Sequence, residues 1–125
     1  MLSIDTMYVS LPVRDMKEAM EFYGNRLNLR IVDENENGIW YQTGQSRIAI
    51  YESKFAGTNK GTAVIWEVMD PKSTVKALKT RGLKFEKYDD LPGMHRKGEL
   101  HIYGSYIAAW FKDPSGNLIC ITHHL

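Results

Sequence analysis

Apolar and polar positions alternate with period two in several short runs of this chain and fall at helical spacing in two others. Val9, Leu11 and Val13 alternate with small or polar neighbours, as half-buried strands do. Met16, Ala19, Met20, Tyr23 and Leu27 then share one helical face. Asp15 is placed to cap that helix, with Glu18 three residues later in the capping-box position. The pattern recurs. Val64, Trp66 and Val68 alternate, Asp70 is a second cap, and Pro71 takes the first helical position. Thr74, Val75 and Leu78 face one way, and Gly82 is placed to stop the helix in the left-handed conformation. Strands are predicted over 29–33 and 83–88. Hairpins are predicted at Gly44-Gln45, between 38–43 and 47–51, and at Pro114 to Gly116, between 106–112 and 118–123.

One unit is therefore used twice. Asp15 and Asp70 are 55 residues apart (70 − 15), and the same offset carries Val9 and Leu11 onto Val64 and Trp66. The order is β-α-β-β-β in each unit, over about 1–57 and 61–125. A polar link, 58–62, is too short to separate independent domains. The expected fold class is α+β: a single domain, 1–125, of two βαβββ modules whose paired, curved mixed sheets surround a cleft. The second unit carries an insert, 89–105, with a turn-rich start at Asp89 to Met94. This is read as a long loop able to fold over the cleft.

Composition narrows the classes. Hydrophobic residues are 43% and charged residues 25%, ordinary for a globular chain, and the net charge of +1 gives no reason to expect nucleic acid or an anionic membrane surface. The single cysteine, Cys120, rules out an internal disulfide framework. Residues 1–10 lack the basic start and apolar core of a leader, and no apolar run approaches a membrane span. A cytoplasmic location is expected.

Leu11-Pro12-Val13-Arg14-Asp15, Phe22-Tyr23 and Asp113-Pro114-Ser115-Gly116-Asn117 are individually weak signals. In this order and spacing they resemble the glyoxalase/bleomycin-resistance/dioxygenase family, the vicinal oxygen chelate superfamily, over nearly the whole chain. The resemblance implies the same two-module fold. It also implies four metal-ligand positions, which fall here on Tyr8, on or near Ile50, on Ala63 and on Cys120. Ile and Ala offer no ligand atom, a phenol keeps its proton at neutral pH, and one thiol is not a site for a hard cation. The usual metal centre is therefore not expected, and no cofactor is. Of the histidines, His95 and His101 lie in the insert, and His123 and His124 near the C-terminus. Glu52 and Glu67 are the nearest carboxylates to the vacated positions. Cys120 has no base or helix start nearby in sequence to activate it.

Given that fold, counting by twos sends Tyr8, Ser10, Ala63, Ile65, Glu67, Leu118, Cys120 and Thr122 to the cleft. Trp40 and Trp110 should face each other across it, with Ile50 as a further wall. Ser10, Glu52, Glu67, His101 and Tyr103 are the polar anchors available. An aromatic, largely apolar hollow suits planar or cationic ligands. The expected function is metal-independent binding of a small molecule, such as sequestration of an aromatic or toxic compound. The resemblance implies a homodimer with clefts shared between two chains. The competing expectation is a glyoxalase- or dioxygenase-like enzyme with an atypical site, which needs Glu52, Glu67, His101 or His124 to converge.

Overall fold

The computed structural model describes residues 2–124, so the outermost residue of each predicted unit, Met1 and Leu125, lies outside the described residues. The first unit runs β1 (Val9–Val13), α1 (Met16–Met20), β2 (Arg30–Asn35), β3 (Gly38–Thr43) and β4 (Ser46–Glu52). Its sheet has the order β1-β4-β3-β2, with β1 parallel to β4 and the rest antiparallel. The second unit runs β5 (Thr62–Glu67), α2 (Pro71–Thr80), β6 (His95–Lys97), β7 (Leu100–Tyr103), β8 (Tyr106–Lys112) and β9 (Leu118–His124). Its sheet has the order β5-β9-β8-β7-β6, again with the opening strand parallel to the last. Among the described residues no helix is long and apolar enough to cross a membrane.

The helix starts are those the sequence announces. The Asp15 side chain accepts from the backbone N–H groups of Lys17 and Glu18, and Asp70 accepts from that of Ser73. After α1 the helix widens into a π-helical turn, Glu21–Arg26, which ends beside Asn28 in the left-handed conformation at φ 59°. Gly82, at φ 90°, does the same after α2.

Two elements differ from expectation. Residues 83–88 form no strand; they meet the sheet through one bridge, Phe85 to Phe111, through the Glu86 N–H, which donates to the Trp110 carbonyl at 2.8 Å, and through the Tyr88 N–H, which donates to His101 Nε2 at 2.9 Å. The insert is not a loop throughout. After a turn at 91–94 it folds into the β6–β7 hairpin, which pairs through β7 with residues 106–108 of β8.

Both units contribute to one core. Leu11, Val13, Ile39, Tyr41, Ile48 and Ile50 come from the first sheet, Phe22 and Tyr23 from the helical segment, and Val64, Phe111, Ile119 and Ile121 from the second sheet. The Phe22 ring lies 6.2 Å from that of Phe111. The helix-side faces of the two sheets are thus joined, which leaves each opposite face free of that core.

A polar clamp seals the join, and it is made of the three sequence motifs. The buried Asp113 carboxylate accepts from Tyr23 Oη (2.7 Å), from the backbone N–H groups of Ser115 and Asn117 (2.9 Å each) and from Asn117 Nδ2 (2.9 Å). Asn117 Nδ2 also donates to the Pro12 carbonyl at 2.8 Å, and Arg14 N–H donates to Ser115 Oγ at 2.9 Å. The Arg14 guanidinium bonds the carbonyls of Pro114 and Ser115. Burial, then the Asp113 charge, holds the Tyr23 phenol far above its ordinary range, so it stays a donor.

Candidate functional site

The open face of the second sheet carries a hollow of about 270 Å³. Ile65 comes from β5, His101 and Tyr103 from β7, Tyr106, Ala108 and Trp110 from β8, Cys120 and Thr122 from β9, and Met94 from the turn before β6. Register explains the set. Trp110 lies opposite Cys120, Ala108 opposite both Thr122 and His101, and Ile65 beside Cys120, so their side chains share one face. Ile65 is 64% exposed although apolar, and Tyr103 and Tyr106 are also exposed. Among the described residues, no Lys, Arg, Asp or Glu lines this hollow.

His101 is its most unusual member. It is 1% exposed and packs edge-to-face on Trp110, with ring centroids 5.0 Å apart, and against Tyr88 at 5.7 Å. Its Nε2 accepts the Tyr88 backbone N–H at 2.9 Å. A backbone N–H can only donate, so the proton of the neutral ring sits on Nδ1. That Nδ1 is buried and has no hydrogen-bond partner among the described residues. A buried donor left unmet costs about 1–3 kcal/mol, so the arrangement needs a reason.

Cys120 lies buried at the floor. Burial pushes its thiol up to about 11, against a small opposing effect of the Ala109 backbone. It is therefore a neutral wall, not a nucleophile. Alkylation of Cys120 by iodoacetamide at pH 7.5 is expected to be at least 100-fold slower (roughly) than for a free thiol, and to accelerate up to about pH 11. Between pH 9 and 11 the unfolded chain releases this proton while the folded chain keeps it, so stability falls as pH rises through that window. Labelling followed by mass spectrometry, and urea midpoints at pH 8 and 10.5, check both statements; alkylation at the free-thiol rate overturns them.

The structure brings together Ile65, His101, Tyr103, Trp110, Cys120 and Thr122 of the expected residues. Ser10 and Trp40 share the open face of the other sheet, where each is registered on Ala49. Tyr8 precedes β1 and is 48% exposed. Three expected placements are corrected. Ile50 is buried on the helix side, because it lies opposite Leu11 and Ile39. Glu52 is on that side too and accepts the Met16 backbone N–H at 3.1 Å, at the start of α1. Ala63 sits at an irregularity in the β5–β9 pairing and packs against the core. Glu67 keeps its expected face, registered on Thr122 two residues from Ile65, but it lines the neighbouring depression where the Gly44-Gln45 turn meets β5 and not the hollow itself.

Tyr106 and Ala108 were recoverable by counting back in twos from Trp110. Tyr88 and Met94 carry no such signal, because neither lies in a strand.

The donor set does not fit a metal. Of the four positions that the resemblance assigns to ligands, Ile50 and Ala63 have no donor atom, Tyr8 is exposed outside the strand, and Cys120 holds its proton. Among the described residues, no three His, Cys, Asp or Glu side chains are grouped to hold an ion.

Residues 6–121 match the sequence profile of the Glyoxalase/Bleomycin resistance protein/Dioxygenase superfamily. The chain belongs to this superfamily, and its sheets of four and five strands have that fold. A search of curated proteins finds no match. Among solved structures, a glyoxalase/bleomycin resistance protein/dioxygenase from Alicyclobacillus acidocaldarius is similar at 21% identity and a TM-score of 0.69, covering 98% of this chain and 92% of that one. An antibiotic binding protein from a Streptomyces species is 17% identical, with a TM-score of 0.67 and 98% of each chain covered. A fosfomycin resistance protein from Listeria monocytogenes is 12% identical, with a TM-score of 0.71, covering 97% of this chain and 93% of that one.

Proposed function

We propose that this chain is a metal-independent binding protein for a small, planar, neutral molecule, and that two copies complete each binding cleft. The observation that carries the reading is the hollow around Trp110: concave, aromatic, free of charged side chains and open on one side. At about 270 Å³ it falls just below the range of drug-sized pockets, which run from about 300 Å³ upward. It holds a ligand of one or two rings, or part of a larger one covered by a second surface. The other sheet's free face, with Ser10, Trp40 and Ala49, is such a surface, and a two-fold pair would set each kind of face against the other. The Streptomyces relative is an antibiotic binding protein, which supports a carrier role over catalysis. Glu52 and Glu67 lie outside the hollow, so a cationic ligand finds no counter-charge there, and a neutral one is preferred.

The test combines metal analysis, sedimentation and ligand-induced quenching of tryptophan fluorescence. The expected result is a dimer that binds planar aromatics after chelator treatment. Ile65→Asp is expected to leave stability within about 0.5 kcal/mol, since the side chain is 64% exposed, while splitting the dimer and weakening ligand binding at least tenfold, roughly. Ligand binding that disappears with a stoichiometric metal sinks this reading; so does an Ile65→Asp protein that binds as before.

A further inference from the structure

We propose that the Nδ1–H of His101 is the hydrogen-bond anchor of the hollow, and that its ligand class is aromatic ketones and quinones, molecules with a carbonyl oxygen on a flat apolar frame. The inference rests on the binding reading above and specifies it. Three observations converge. The Tyr88 N–H occupies Nε2 and so places the proton on Nδ1. Nδ1 is buried without an acceptor among the described residues, in a ring that lines the hollow. The rest of the lining is apolar or aromatic apart from the hydroxyls of Tyr103, Tyr106 and Thr122 and the protonated Cys120.

This chemistry selects a ligand. A neutral N–H in a lining without cationic side chains favours a neutral acceptor, because a carboxylate would enter with its charge unmet. A carbonyl conjugated to a ring keeps its oxygen in the ring plane, so one molecule can stack on Trp110 and still present that oxygen edge-on to the imidazole. A neighbour must move to admit the oxygen. Met94, unbranched and carried by the turn before β6, is the lining side chain with the most rotameric freedom. His101 itself is fixed between Tyr88 and Trp110, so the donor is held ready before the ligand arrives.

The experiment compares 1-indanone with indane, two frames that differ by a carbonyl oxygen against two hydrogens. Affinities come from titrations of the intact protein followed by ¹H–¹⁵N NMR. The ketone is expected to bind about five- to tenfold more tightly, the worth of one hydrogen bond. In His101→Phe the ratio of ketone to indane affinity falls below about twofold, whatever the absolute affinity of the variant for indane. In the unmutated protein, long-range ¹H–¹⁵N spectra of the imidazole show the Nδ1 tautomer before ligand is added. Saturation with 1-indanone shifts the Nδ1 resonance, and indane does not. This second readout stands even if His101→Phe fails to fold. Equal binding of the two compounds, a preference that survives in His101→Phe, or an unmoved Nδ1 resonance overturns the anchor alone. Failure of both compounds to bind overturns the binding reading and the anchor with it.

Discussion

Asp113→Ala is expected to lower stability by about 3–5 kcal/mol, the range for removing one partner of a buried charged network. The carboxylate is 5% exposed and receives four hydrogen bonds, from Tyr23 Oη, two backbone N–H groups and Asn117 Nδ2. Alanine leaves all four donors facing a space that water does not freely enter, and each unmet donor costs on the order of 1–3 kcal/mol before relaxation. For a chain of 125 residues this corresponds to a fall in Tm of roughly 10–20 °C. Tyr23→Phe removes a single donor and should cost only about 1–2 kcal/mol. Urea denaturation of both variants measures the contrast. Equal losses would mean that the Tyr23 contact alone, and not the turn, carries the join.

Gly57→Ala is expected to cost about 2–4 kcal/mol, from strain at φ 74° together with overpacking. A Cβ at Gly57 would collide with the Ser115 carbonyl oxygen, which belongs to the turn that Asp113 organises. Backbone meets backbone there, so no rotamer change relieves the clash. Gly44 gives the control. It has φ 54° but open space around the missing Cβ, so Gly44→Ala should show the strain alone, about 1 kcal/mol. Thermal melts of the two variants separate the effects. If both lose the same amount, the close approach at Gly57 contributes nothing.

The parts of the fold legible in the sequence were those with local causes. Asp15 and Asp70 announce helix starts because a cap needs only its own next turn, and Gly82 announces a stop for the same reason. The C-terminal hairpin was legible because Asp113, Pro114, Gly116 and Asn117 form a turn almost independently of context. Faces were harder, and Ile50 shows why. Taking Gly44-Gln45 as a two-residue turn sets Thr43 opposite Ser46 and then Trp40 opposite Ala49, so Trp40 and Ile50 cannot share a face. The register therefore overrides the cleft position that the resemblance implied for Ile50. The β6–β7 hairpin was not legible, because Gly98 and Gly104 lack the Asn-Gly or Asp-Gly pairing that marks a tight hairpin. Each in fact begins a two-residue turn, at φ 65° and 56°, and the strands between are short and polar on one side. Of the hollow, Trp110, Cys120 and Ile65 followed from period-two counting. The meeting of Tyr88 with His101 did not, because it joins an irregular segment to a strand 13 residues later.

The clamp between the motifs has a consequence for the nascent chain. Tyr23 finds its acceptor 90 residues downstream, and Arg14 finds Ser115 101 residues downstream. β1 and β5 each pair in parallel with the last strand of their unit, so neither sheet closes early. During synthesis the first half leaves the ribosome with its tyrosine hydroxyl and its apolar helix side unmatched until the final hairpin follows. A transcript cut short before codon 113 therefore yields a product that holds most of the strands but lacks the latch, and this is the form that cellular proteases should clear first.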